Sequence, residues 1–216
     1  VVYIVPAARE RPGGEFALQS IDQRAMAGAI VKRILRVEEA SALAAAIVDG
    51  YRHAAAGEPG PVMVELPEEL FAAECSGTSS IPPSSRSYPP ASAVDETIAL
   101  INDAPRVLLL LGAGALGGAH AARTLATLTR AAVVTTTTGR GVVSEDDSRV
   151  IVRDPGMQDA AILNDLGGRA DLILAIGCKF SHNGAAGFRM LLPEGKLVTV
   201  NAAGPSRNYP ARLHLV

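Results

Sequence analysis

The 216-residue sequence contains no tryptophan, and aromatic residues make up only 4% of it although hydrophobic residues reach 48%. Its core must therefore be assembled from Ala, Val, Leu and Ile, a palette that suits helices packed on a parallel sheet. The two cysteines, Cys75 and Cys178, are too far apart to suggest a metal pair and too few for a disulfide framework. A reduced, cytoplasmic setting is the expectation. The formal charge is −2, with no basic block, so the electrostatic footprint of a nucleic-acid binder is missing. No apolar run approaches the ~20 residues a membrane-spanning helix needs, which predicts no membrane partner. His53, His120, His182 and His214 are scattered without H-x-x-x-H spacing, so no metal site is expected. There is no charged leader either: the chain opens on Val1 in an apolar VVYIV run, which suggests that it begins inside something longer.

What is present is organised around VLLLLGAGALG, from Val107 to Gly117. A short unbroken run of Val and Leu reads as a strand buried on both faces. Gly112, Gly114 and Gly117 then satisfy the G-x-G-x-x-G spacing. That spacing gives a tight turn, room for a phosphate beside the backbone, and close helix-to-strand packing. A site of the NAD type also wants an acidic residue ~20 positions further on. Here the second strand ends in Thr135, Thr136, Thr137 and Thr138 instead. The stretch reads equally as a nucleotide-contacting loop or as a structural turn, and an NAD-dependent dehydrogenase is disfavoured.

Before this stretch, Val1 to Val5 reads as a strand, followed by a loop with Pro6, Pro12, Gly13 and Gly14. Asp22 is placed to cap a short helix. Glu38 to Ala56 has the pattern of an amphipathic helix, with Leu43, Ile47 and Tyr51 at four-residue spacing and a stop at Gly57 and Pro59. Val62 to Leu66 is a strand bracketed by prolines. Residues 73–92 are dominated by Ser and Pro, including Pro82-Pro83 and Pro89-Pro90, and read as an interdomain linker. Glu65, Glu68 and Glu69 flank the end of that strand.

After the linker, strands and helices alternate. Helices are expected over Val94 to Asn102, Gly118 to Thr129 with Leu125 and Leu128 facing the sheet, and Asp159 to Leu166 ended by Gly167-Gly168. Strands are expected over Ala132 to Thr137, Val150 to Val152, Asp171 to Ile176 and Lys196 to Val200. The alternation predicts an α/β fold: a doubly wound parallel sheet, Rossmann-like, preceded by a partial α/β domain. Ligands of such sheets sit at the carboxyl ends of the strands. The candidate cofactor-binding residues are therefore Gly112, Gly114, Thr137, Gly139, Arg140, Gly177, Lys179 and Asn201. Each has a plainer reading as turn glycine, surface charge or loop polar residue. Ser181 beside His182 does not make a nucleophile pair, because adjacent loop side chains seldom face one another.

The order of the segments resembles the thiamine diphosphate-dependent decarboxylase and acetolactate synthase superfamily. QSIDQRAMAGAIVKR, with Lys32, and then GEPGPVMVELPEEL look like the closing portion of that family's pyrimidine-binding domain, where the chain leaves that domain, which implies that Glu65, Glu68 and Glu69 are surface carboxylates. TTTTGRGVVSEDD, PGMQD, RADLILAIGCKF and VTVNAAG are similar to successive segments of its central domain. The resemblance implies three parts: 1–72, the end of a pyrimidine-binding-type domain; 73–92, the linker; and 93–216, a complete Rossmann-like central domain. It implies a fragment of an enzyme acting on 2-oxo acids. The fragment would supply scaffold, homo-oligomer contacts (dimer or tetramer) and a possible nucleotide pocket.

In the family the cofactor-activating glutamate lies upstream, and the metal motif, G-D-G followed by an asparagine, lies in a third domain. Neither is found here, so no catalytic residue is assigned. Thiamine diphosphate and Mg are expected only in the intact parent protein, and the chain alone is expected to be inactive. Relatives hold FAD or ADP in the central domain, or nothing. Lys179-Phe180-Ser181-His182-Asn183, Gln158-Asp159 and Asn201 depart from the FAD-type pattern, and the expectation is a vestigial or empty site, with an adenine nucleotide next. The rival reading is a free-standing, non-catalytic nucleotide-binding or interaction module.

Overall fold

The computed structural model describes residues 1–7, 20–75 and 87–216. Its chain forms two compact units, Val1–Arg86 and Ser87–Val216. The expected loop at Pro12, Gly13 and Gly14, and the Pro82-Pro83 part of the linker, lie outside the described residues.

The first unit is a three-stranded parallel sheet of order β1-β3-β2, built from β1 (Val2–Ala7), β2 (Arg33–Arg36) and β3 (Val62–Pro67). β3 pairs with both neighbours, and Val62, Met63, Val64 and Glu65 are buried. The short helix α1 (Gln23–Ala27) begins at Asp22, whose Oδ1 accepts from the Ala25 N–H at 2.9 Å, as the sequence suggested. Helix α2 (Leu43–Ala55) packs on the sheet at Gly50. A Cβ there would lie 3.1 Å from a Val64 methyl and 3.3 Å from one of Val2, so this mid-helix glycine is explained by close approach. Tyr51 is a correction: it is exposed, and the buried positions of α2 are Val48, Gly50 and Ala54.

Glu65 is a second correction. It is 3% exposed, because it lies on the interior strand opposite Arg36. Its Oε2 accepts from Arg36 Nη1 at 3.2 Å and lies 3.6 Å from Arg24 Nε. Burying a carboxylate is tolerable only with such partners. Glu68 and Glu69 are exposed, as expected.

The second unit has the predicted doubly wound form. Helix α3 (Ala91–Asp103) leads into β4 (Val107–Leu111), followed by α4 (Ala119–Thr129), β5 (Ala132–Thr135), β6 (Val150–Arg153), α5 (Ala160–Arg169), β7 (Leu172–Ile176), β8 (Leu197–Val200) and β9 (Leu213–Leu215). The strands are all parallel, in the order β6-β5-β4-β7-β8-β9. Counted within the unit this is 3-2-1-4-5-6, the order of a dinucleotide-binding doubly wound sheet, with its switch point between β4 and β7.

β4 is buried on both faces, as its unbroken apolar run predicts. Leu109 and Leu111 join one core with Val133, Leu174 and Ala126 of α4. Leu108 and Leu110 join the opposite core with Val134, Ile173 and Leu163 of α5. Each such leucine contributes about 2 kcal/mol of burial.

Three details differ from expectation. Leu128 is exposed, whereas Leu125 packs against the core as expected, beside the buried Ala122 and Ala126, whose small side chains let the helix lie close. Gly167 and Gly168 fall inside α5 instead of ending it, and Gly167 is buried, its Cβ position 3.2 Å from the Leu191 carbonyl. β2 and β9, both edge strands, were not anticipated; one buried side and short length leave little periodic signal.

Candidate functional site

The carboxyl ends of β4, β5 and β7 converge through glycines. The Gly112 N–H donates to Ile176 O at 2.9 Å, and the Gly114 N–H to Gly177 O at 3.2 Å. Gly139 closes the turn after β5, its N–H donating to Thr136 O at 2.9 Å. Backbones here touch directly. A Cβ on Gly112 would fall 2.1 Å from Gly177 O, one on Gly139 2.2 Å from Leu111 O, and one on Gly177 2.4 Å from the Gly114 Cα. Gly177 also has φ +63°, a second reason for glycine. Gly117 faces open space, so the third glycine of the spacing carries no packing demand.

The spacing does not deliver a helix N-terminus to the turn. Residues 113–118 form a 3-10 turn, and α4 starts only at Ala119. The amide-rich end of α4 is therefore displaced along the chain from Gly112 and Gly114.

The polar residues of the rim are paired with one another. Arg140 donates from Nε and Nη2 to the two Glu145 oxygens at 2.5 and 3.0 Å, and Arg153 Nη1 lies 3.6 Å from the same carboxylate. The bidentate hydrogen bond raises the Arg140 pKa and lowers that of Glu145. Thr137 Oγ1 donates to Asp154 Oδ1. Asn201 Nδ2 donates to Cys178 O at 2.9 Å, tying the end of β8 to the end of β7. Lys179 is exposed and is not without a partner. Cys178 is buried, with its Sγ 3.3 Å from Leu110 O, and burial pushes its thiol up to about 12, far from a reactive thiolate.

The structure thus brings Gly112, Gly114, Gly139 and Gly177 into one seam and sets Thr137, Arg140, Lys179 and Asn201 around the strand ends. Sequence reasoning missed Glu145 and Asp154 as the rim's internal partners. Arg140 and Glu145 stand five apart across a turn, a spacing that no helical or strand period flags. It also missed the chain following β7. Phe180, Ala186 and Phe188 all have φ between 49° and 60°. Such left-handed residues cost roughly 1–2 kcal/mol each and persist only where the surroundings fix them. Here Phe180 is buried, 5.0 Å from the Tyr209 ring, and Ala185, Ala186 and Met190 join the same core. Ser181 Oγ accepts from the Gly184 N–H at 3.4 Å, while His182 Nδ1 lies 3.2 Å from Asn183 Oδ1 and its ring meets Phe188 edge-on. Among the described residues no group of three His, Cys, Asp or Glu side chains could hold a metal ion. Nor is any described helix long and apolar enough to cross a membrane.

Similarity to known proteins agrees with this architecture. The chain is 28% identical over 194 residues to an acetolactate synthase of Mycobacterium bovis, covering 86% of this chain and 31% of that protein. It is 29% identical over 205 residues to the mitochondrial acetolactate synthase catalytic subunit of Saccharomyces cerevisiae, covering 88% and 30%. A probable chloroplastic acetolactate synthase 2 of Oryza sativa subsp. japonica is 27% identical over 208 residues, covering 93% and 31%. The chain thus spans just under a third of the length of these curated relatives. Residues 94–216 match the thiamine pyrophosphate enzyme central domain, and with the 3-2-1-4-5-6 sheet over that same span, the chain belongs to this family.

Proposed function

We propose that this chain is the structural centre of a thiamine diphosphate-dependent enzyme acting on 2-oxo acids, of the decarboxylase or acetolactate synthase kind. The match of residues 94–216 to the family's central domain carries the reading. The preceding segment fits the end of a pyrimidine-binding-type domain: a parallel sheet whose interior strand is the VMVELP stretch. Its roles are scaffold and subunit contact. Thiamine diphosphate, when bound, supplies the carbanion-stabilising chemistry; this chain's residues hold the frame around it. Homo-oligomer contacts are supported by the apolar side chains the first unit leaves outside, among them Tyr3 at 61% and Ile30 at 74% exposure.

Two measurements test the proposal. Calorimetric titration of the chain with thiamine diphosphate and Mg should give no saturable binding, and a micromolar Kd would overturn the non-catalytic assignment. Sedimentation should show self-association; a strictly monomeric profile would count against subunit contact.

A further inference from the structure

The family relationship raises the question of a nucleotide in the central unit's crevice, and the residues present do not fit one. A dinucleotide at a doubly wound switch point needs free backbone N–H groups for its phosphates, cations to pair with them and an open crevice. The Gly112 and Gly114 amides are spent on Ile176 and Gly177 carbonyls. The Arg140 guanidinium is held by both oxygens of Glu145, with Arg153 at the same carboxylate. Asn201, which stands where an acceptor for ribose hydroxyls is wanted, turns its amide nitrogen to Cys178 O.

The chain itself lies along the strand ends. Following β7, Gly184 comes within 3.6 Å, at its Cβ position, of the methyl of Thr136, the residue just past β5. Gly187, three residues on, has its Cβ position 2.7 Å from Met157 Cγ, beyond β6. Because β4 lies between β7 and β5 in the sheet, a segment that leaves β7 and touches Thr136 and Met157 has passed the carboxyl end of β4. Phe180 and Ala186, buried in the core on the α5 side of the sheet, pin the two ends of that passage. We infer that the crevice at the β4–β7 switch point is filled by the chain itself, residues 181–187 lying along the strand ends while Glu145 occupies the guanidinium of Arg140 beyond β5, and that it excludes a dinucleotide. The glycines of the seam are there for backbone contact between three strand ends. This inference does not depend on which reaction the family relationship implies.

The test uses the 216-residue chain. Isothermal titration with FAD and separately with ADP is expected to give no saturable heat; a Kd at or below about 100 μM for either would overturn the inference. Hydrogen exchange gives an independent readout without any substitution. The Gly112, Gly114 and Gly139 amides should exchange as slowly as the β4 ladder amides and be unchanged by FAD or ADP. Exchange at open-loop rates, or protection that increases with either nucleotide, would overturn it.

Discussion

Lys32 in the first unit and Lys196 in the second do the same thing. Each stands immediately before a strand, β2 or β8, that pairs with the strand following a helix. Each sends its ammonium to carbonyls at or just past that helix's C-terminus: Lys32 Nζ to Ala56 O and Glu58 O at 2.6 and 2.8 Å, Lys196 Nζ to Gly168 O and Ala170 O at 3.1 and 2.7 Å. A cation there satisfies carbonyls without a helical partner and meets the negative end of the macrodipole. The surroundings of the two devices differ. Among the described residues the first unit's sheet has one interior strand, so β1 keeps Tyr3 and Ile4 exposed, and its Pro6 carbonyl accepts from a side chain, Gln23 Nε2, at 2.7 Å. The second unit's sheet has four interior strands and two cores. The same local device therefore serves a sheet that is mostly edge in one unit and mostly interior in the other, because strand count sets how much of a sheet is edge.

The largest expected effect falls on the six-stranded unit. Gly177→Ala places a methyl 2.4 Å from the Gly114 Cα at a φ of +63° and should destabilise by about 4 kcal/mol or more, whereas Gly117→Ala, in open space, should leave the denaturation midpoint nearly unchanged. Next comes the three-stranded unit. Glu65→Leu strips Arg36 and Arg24 of their shared carboxylate and should cost about 2 kcal/mol in urea titration, less than a fully buried pair because both guanidiniums keep access to water. Lys32→Met and Lys196→Met sharpen the comparison itself: each should lose about 1 kcal/mol, and a large inequality would show that the two caps are not equivalent.

Thr135→Val should go the other way. Its hydroxyl is fully buried without a hydrogen-bond partner, so an apolar replacement of the same shape should raise stability by about 1 kcal/mol. The smallest effect is acid sensitivity at Asp147. Hydrogen bonds from Arg149 hold its carboxyl down at about 2, against 3.8 for the ordinary group. As pH falls the unfolded chain takes up this proton first, so the stabilisation is present above the ordinary value and is lost between there and about 2. Asp147→Asn should flatten the stability profile in that window and leave it unchanged near neutrality.

Much of this molecule follows from local chemistry. The unbroken apolar runs of β4 and β7 determine strands buried on both sides, and their alternation with helices determines the doubly wound sheet. The helix stops at Gly57 and Pro59 and the Asp22 cap are equally local. Edge strands β2 and β9 escape such reading, since pairing on one side imposes no period on four or three residues. So does Glu65, whose charge suggests water and whose burial depends on arginines 29 and 41 residues away in the chain.

The glycine-rich turn shows where sequence stops. Its spacing is compatible with a phosphate site and with a packing seam, because both need residues without side chains. Only the tertiary structure decides what meets those glycines, and here it brings the Gly177 carbonyl to one amide, Glu145 to the neighbouring cation, and the chain after β7 along the strand ends. Sequence fixes which residues lack a side chain; long-range backbone contact fixes what fills the space.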